Sequence, residues 1–109
     1  MDLKVGGRIW LETSRGTLAG IGRVTLLERI KKYGSITDAA RSMKMSYRQA
    51  WEQIELMNKQ ASSPLVIKLS GGAGGGGSQL TAEGEKLIEA YYELEERFNR
   101  FTIEAAAKL

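Results

Sequence analysis

The 109-residue chain contains no cysteine and no histidine. The first absence removes disulfides, thiolate catalysis and cysteine-based metal sites. The second removes the commonest metal ligand and the commonest general base. The scattered carboxylates show no paired placement suited to acid–base chemistry, so neither an enzyme nor a cofactor protein is expected. No apolar run approaches the roughly 18 residues of a membrane span, and the N-terminus MDLKVGGRIW lacks the basic-then-apolar layout of a secretory signal. A cytoplasmic chain without a membrane partner is the expectation. With 42% hydrophobic residues there is enough chain for one core and not for two, so 1–109 is expected to be a single domain.

What charge there is lies unevenly. Met1 to Leu80 carries 12 Lys and Arg against 6 Asp and Glu, a net +6, whereas Thr81 to Leu109 carries 4 against 7, a net −3. A basic part beside an acidic tail is the pattern of nucleic-acid binding next to an assembly element, with a basic surface kept for solubility as the plain alternative.

Residues Val5 to Thr13 alternate in polarity and predict a half-buried strand, followed by a turn at Ser14 to Thr17 and a break at Gly20 and Gly22. Val24, Leu27, Ile30 and Tyr33 then recur at helical spacing up to Gly34, a C-terminal stop. Ser35 is placed to cap a short helix, ITDAARSM. Ser46 and Gln49 form the S-x-x-Q capping box of another helix only a few residues later, leaving a tight turn at Lys44 to Ser46. In that helix Ala50, Trp51, Ile54 and Met57 fall on one arc, and the same spacing predicts that Trp51 packs in the core and makes no DNA contact. Pro64 closes the segment; LVIKLS and SQLT read as short strands flanking glycines, and Thr81 caps a long last helix.

A short helix, a tight turn, a helix with a free polar face and then a hairpin define the expected fold: mainly α with a small antiparallel β wing, a winged helix-turn-helix with a long C-terminal dimerisation helix. The helix-turn-helix is expected at about 35–60, the wing at about 65–81 and the last helix at about 82–107. Gly74 to Ser78 read GGGGS, the composition of a flexible linker. A linker, however, needs a second domain, and the flanking strands make these glycines the tip of a wing, where backbone N–H groups approach phosphates closely.

The run GSITDAARSMKMSYRQAWEQIELMN, followed by GGAGGGGSQLT, resembles the N-terminal DNA-binding domain of ModE-type molybdate-responsive regulators, within the wider LysR-like winged-helix group. The resemblance covers roughly Gly22 to Phe101 and implies a homodimer that binds operator DNA. Two departures stand out. Ala73 occupies the middle of the glycine loop, where the family usually has a basic residue, and the family's molybdate-binding domain has no counterpart in this chain, so no molybdate response is expected.

The expected DNA-facing residues follow from position. Tyr47 and Arg48 lie in the first turn of the recognition helix, beside Ser46, and Arg48 could meet either a guanine edge or a phosphate. Gln49 could read adenine, although capping competes for its amide. Lys44 in the turn and Lys68 at the base of the wing suit phosphates, with Ser70, Gly72, Gly74 and Gly75 in the loop itself. Trp10 is expected to pack against the wing or a neighbouring subunit. In the last helix Leu87, Tyr91, Leu94, Phe98 and Phe101 are spaced 4, 3, 4, 3, a heptad seam that predicts a dimer interface. The expected function is a sequence-specific regulator that binds double-stranded DNA as a homodimer without an effector domain of its own. The alternative is a winged-helix protein-interaction module or a DNA-binding subunit of a larger complex.

Overall fold

The computed structural model describes residues 1–69 and 77–109. Its elements run β1 (Leu11–Thr13), β2 (Gly16–Ala19), α1 (Ile21–Tyr33), α2 (Ile36–Ser42), α3 (Tyr47–Gln60), β3 (Val66–Lys68), β4 (Ser78–Leu80) and α4 (Ala82–Ala107). The strands form two separate antiparallel hairpins, β1 with β2 and β3 with β4.

Helix α1 is the centre of the core. Val24, Leu26, Leu27 and Ile30 have no solvent exposure, and they meet Ala39 and Ala40 of α2, Ala50, Ile54 and Met57 of α3, Leu65 and Val66 beside the wing, and Tyr91 of α4. Burying each large aliphatic side chain in this cluster contributes roughly 1.5–3 kcal/mol. Gly34 ends α1 at φ 65°, the left-handed conformation that glycine adopts without strain, and its N–H returns to the Ile30 carbonyl at 2.8 Å. Tyr33, expected on the apolar stripe, instead lies 42% exposed at this last turn.

Both predicted caps form. The Ser35 hydroxyl accepts from the Asp38 N–H at 3.1 Å, and Ser46 and Gln49 make a reciprocal capping box. Between α2 and α3 the Met45 N–H donates to the Ala40 carbonyl, and Lys44 takes φ 54°, unusual for a residue with a side chain. Arg29 Nη1 donates to Ser42 Oγ at 2.8 Å, tying the end of α2 to α1.

The N-terminal region differs from the expectation. The ladder covers only Leu11–Thr13, because its partner strand, Gly16–Ala19, has just four residues before α1 begins; Gly16 and Thr17, expected in the turn, pair in that strand. Gly22 is inside α1 and breaks nothing; Gly20 is its N-cap. The segment before β1 approaches α4 at Gly7, where an added Cβ would lie 2.8 Å from the tip of the Phe98 ring.

Asn58 joins α3 to β3. Its Oδ1 accepts from the Leu65 and Val66 N–H groups at 2.8 and 3.3 Å, and its Nδ2 donates to the Val66 carbonyl at 3.0 Å. Thr81 joins β3 to α4: its hydroxyl donates to the Pro64 carbonyl at 2.7 Å and accepts from the Gly84 N–H at 3.0 Å. Gly84 has to be glycine for space, since a Cβ there would lie 2.5 Å from the Leu65 carbonyl oxygen. Helix α4 is 26 residues, about 39 Å long, and makes the molecule elongated, 62 × 29 × 20 Å.

Candidate nucleic-acid interface

The capping box decides where the first turn of α3 points. With Ser46 accepting from the Gln49 N–H and Gln49 Oε1 accepting from the Ser46 N–H, both at 3.1 Å, the helix starts abruptly at Tyr47 and presents its N-terminal turn to solvent. Lys44, Ser46, Tyr47, Arg48 and Gln49 are all exposed. Lys68, on β3, is exposed as well and lines, together with Thr37, Tyr47 and Ser78, a polar cleft of about 250 Å³. The structure thus brings the start of α3 and the base of the wing to one cleft, and the turn leads directly into that helix start. Ser70, Gly72, Gly74 and Gly75 lie outside the described residues.

The side chains differ in what they have free. Gln49 has committed its carbonyl oxygen to the cap, which leaves its amide nitrogen but not the oxygen–nitrogen pair that reads adenine on two atoms. Arg48 Nε donates to Glu52 Oε1 at 3.0 Å, one turn along the same exposed face. An exposed pair of this kind is held by only about 0.3–0.5 kcal/mol, so Arg48 can exchange Glu52 for another acceptor. Lys44 and Lys68 are point charges on flexible stems.

Trp51 corrects the sequence reading. The buried side of α3 is Ala50, Ile54 and Met57, and Trp51 lies 37% exposed at its margin. Periodicity placed it within a broad apolar arc, but each helix residue is turned about 100° from the last, so Trp51 and Ala50 cannot share one narrow contact. Of the two expectations for Trp10, packing on the β3–β4 wing is not met. It lies just before β1, 56% exposed, donates from Nε1 to Glu12 Oε1 at 2.7 Å, and borders a cleft of about 520 Å³ with Ile21, Tyr91 and Phe98.

The five seam residues of α4 are not equivalent. Tyr91 is 2% exposed and belongs to the protomer's own core, and Phe98 packs on Gly7. Leu87 packs half-buried against the same core, whereas Leu94 and Phe101, 36% and 58% exposed, continue its i, i+7, i+14 line as an apolar stripe open to solvent. On the opposite flank α4 is fastened to α1 by Tyr92, whose hydroxyl donates to Glu28 at 2.5 Å, and by a 2.7 Å ion pair between Lys31 and Glu85. The hydrogen bond to Glu28, reinforced by burial, pushes the Tyr92 phenol up to about 12. Lys31 is raised by its bond to Glu85. Among the described residues no group of His, Cys, Asp and Glu could hold a metal ion, and no helix is long and apolar enough to cross a membrane.

Three helices around a buried α1, a tight turn and a hairpin after the recognition helix define a winged helix-turn-helix domain. Residues 21–85 match the family described as bacterial regulatory helix-turn-helix protein, lysR family, and the chain belongs to it. It is 43% identical over 88 residues to the molybdenum transport protein ModE of Azotobacter vinelandii, covering 81% of this chain and 33% of that protein. It is 42% identical over 69 residues to the DNA-binding transcriptional dual regulator ModE of Escherichia coli K12, covering 63% of this chain and 26% of that protein. The chain thus spans about a third or less of these relatives, in their N-terminal part. A crystal structure of the CbnR_DBD–DNA complex shares the fold, with a TM-score of 0.60 at 17% identity over 83% of this chain and 98% of that one. Proteins of this family are transcriptional regulators rather than enzymes.

Proposed function

We propose that this chain is the DNA-binding part of a transcriptional regulator, engaging double-stranded DNA sequence-specifically as a homodimer in the cytoplasm. The observation that supports the reading is the cleft shared by Tyr47, at the start of α3, and Lys68, on the wing, with Lys44 and Arg48 exposed beside Tyr47 in the chain. In such a fold the N-terminal residues of the second helix meet base edges while the flanking groups hold phosphates. Lys44 and Lys68 are assigned to phosphate, and Arg48 to a base edge once it leaves Glu52. The net +6 of Met1 to Leu80 supplies the sequence-independent part of the attraction.

The homodimer reading rests on Leu94 and Phe101, which continue the heptad line of Leu87 as an apolar stripe that the chain itself does not cover, on a 26-residue helix. Two-fold symmetry would set two recognition helices on one side of the duplex and favour inverted half-sites about 34 Å apart, or a multiple of that. Selection of bound duplexes from a random pool tests both halves: recovery of an inverted repeat is expected, and a pool that stays random overturns the reading in favour of a protein-interaction module.

A further inference from the structure

We infer that Trp51 is a base-reading residue whose indole packs on a thymine C5-methyl group in the major groove. The inference rests on the DNA-binding reading above and names a contact within it.

Trp51 lies four residues after Tyr47 and three after Arg48, so the three side chains are neighbours across one turn in the first half of α3. That half is the part of a recognition helix that reaches base edges. The chain buries Ala50, Ile54 and Met57 instead, leaving Trp51, one of its two tryptophans, 37% exposed. Its neighbours along the helix include the exposed Arg48 and Glu52 and the half-buried Glu55. An exposed indole beside a guanidinium assigned to a base edge matches the major groove of duplex DNA, which offers both acceptors and an apolar group.

The chemistry narrows that group. Aromatic stacking needs an unstacked base, and in a duplex the base faces are covered. What the major groove presents to an apolar surface is the thymine methyl, the one carbon group in its pattern of donors and acceptors. Arg48 and Trp51 then divide the reading, the guanidinium taking acceptors on guanine and the indole taking methyl groups nearby.

Deoxyuridine removes that methyl and nothing else. On the duplex recovered by selection, replacing thymines one at a time should lower wild-type affinity about four-fold at one position per half-site, or about fifteen-fold for the symmetric pair, the size expected for one buried carbon each. Trp51→Ala should bind the thymine and uridine duplexes equally, while Arg48→Ala should still distinguish them. A second readout uses Trp10→Phe, which leaves Trp51 as the sole tryptophan of a chain that has two. Its emission should change more on binding the thymine duplex than the uridine duplex. Wild-type binding indifferent to every methyl, a Trp51→Ala variant that keeps the full methyl effect, or equal emission changes with both duplexes would each overturn the inference while leaving DNA binding in place. Failure to recover any preferred duplex overturns both.

Discussion

Removing the Lys68 charge separates a wing that touches DNA from one that does not. Lys44 and Lys68 are the exposed cations assigned to phosphate, so a symmetric dimer presents four. At about 0.9 per neutralised phosphate, the slope of log affinity against log salt should be about −3.6 if all four meet phosphates. Lys68→Ala takes away one contact per protomer and should flatten the slope by about 1.8, to about −1.8. Between 50 and 200 mM salt the wild-type affinity would then fall about 150-fold and that of the variant only about 12-fold.

Arg48 should behave differently. Its contact requires release from Glu52, a surface pair of about 0.3–0.5 kcal/mol, so Glu52→Gln should tighten binding about two-fold per protomer. Arg48→Ala should relax preference at one position per half-site, at a cost of about 1–3 kcal/mol for the preferred base. Fluorescence anisotropy of a labelled duplex across a salt series measures all of these. A Lys68→Ala slope equal to that of the wild type would show that the wing base lies off the DNA, and the phosphate assignment would be wrong.

Four other outcomes are expected. Leu94→Glu combined with Phe101→Glu puts charge on the open stripe and should move the sedimenting species from dimer to monomer; a monomeric wild type would refute the seam. The Tyr92 phenol rises from 10.0 to about 12 in the folded chain, so the bond to Glu28 stabilises fully below pH 10 and is lost as pH rises through about 12. Melting temperature should therefore drop across that window, and Tyr92→Phe should melt lower below pH 10 but with a shallower alkaline decline. Gly84→Ala should destabilise by about 1–3 kcal/mol in urea titrations, because its Cβ would crowd the Leu65 carbonyl; overcrowding outweighs the gain in helix propensity of about 1 kcal/mol. Molybdate titrated calorimetrically into this 109-residue chain should give no saturable heat, because the matched third of its relatives is the helix-turn-helix part.

Caps and turns were the most legible features of the sequence, because their chemistry is local. Ser35, Ser46 with Gln49, Gly34 and Thr81 all end or begin helices where spacing placed them. The polar start of α3 followed directly from the capping box. Contacts made across the chain were harder to read. Nothing near residue 7 announces that α4 passes over it at Phe98, so the N-terminal segment looked like a strand when it lacks a partner to pair with. Tyr91 and Leu94 belong to the same heptad pattern, yet one faces the protomer's own core and the other faces out. Periodicity defines a stripe and not what covers it. Trp51 failed for the related reason that an arc drawn on a wheel is wider than the contact a helix makes. Asn58 carried a signal only in hindsight, as a polar residue near the end of an amphipathic helix and a few residues before a strand.

Asn58 and its counterpart Thr81 bear on how a seam on α4 could specify a DNA site at all. Half-site spacing in a dimer is set by the path from the symmetry axis to each recognition helix, and any soft joint along that path would blur it. Here the path has two joints. At the first, Thr81 and the close approach of Gly84 lock the start of α4 to Pro64 and Leu65. At the second, Asn58 holds α3 to Leu65 and Val66 through three hydrogen bonds. Leu65 takes part in both, so the two locks share one short backbone segment, buried at 3% exposure. The Tyr92–Glu28 and Lys31–Glu85 contacts brace α4 against α1 and limit its swing about that segment. Leucine 65 makes no contribution to base recognition on this account, yet the orientation of α3 relative to the seam passes through its carbonyl and N–H. Loss of Asn58 should consequently broaden the spacing that a dimer accepts before it alters the bases preferred within each half-site.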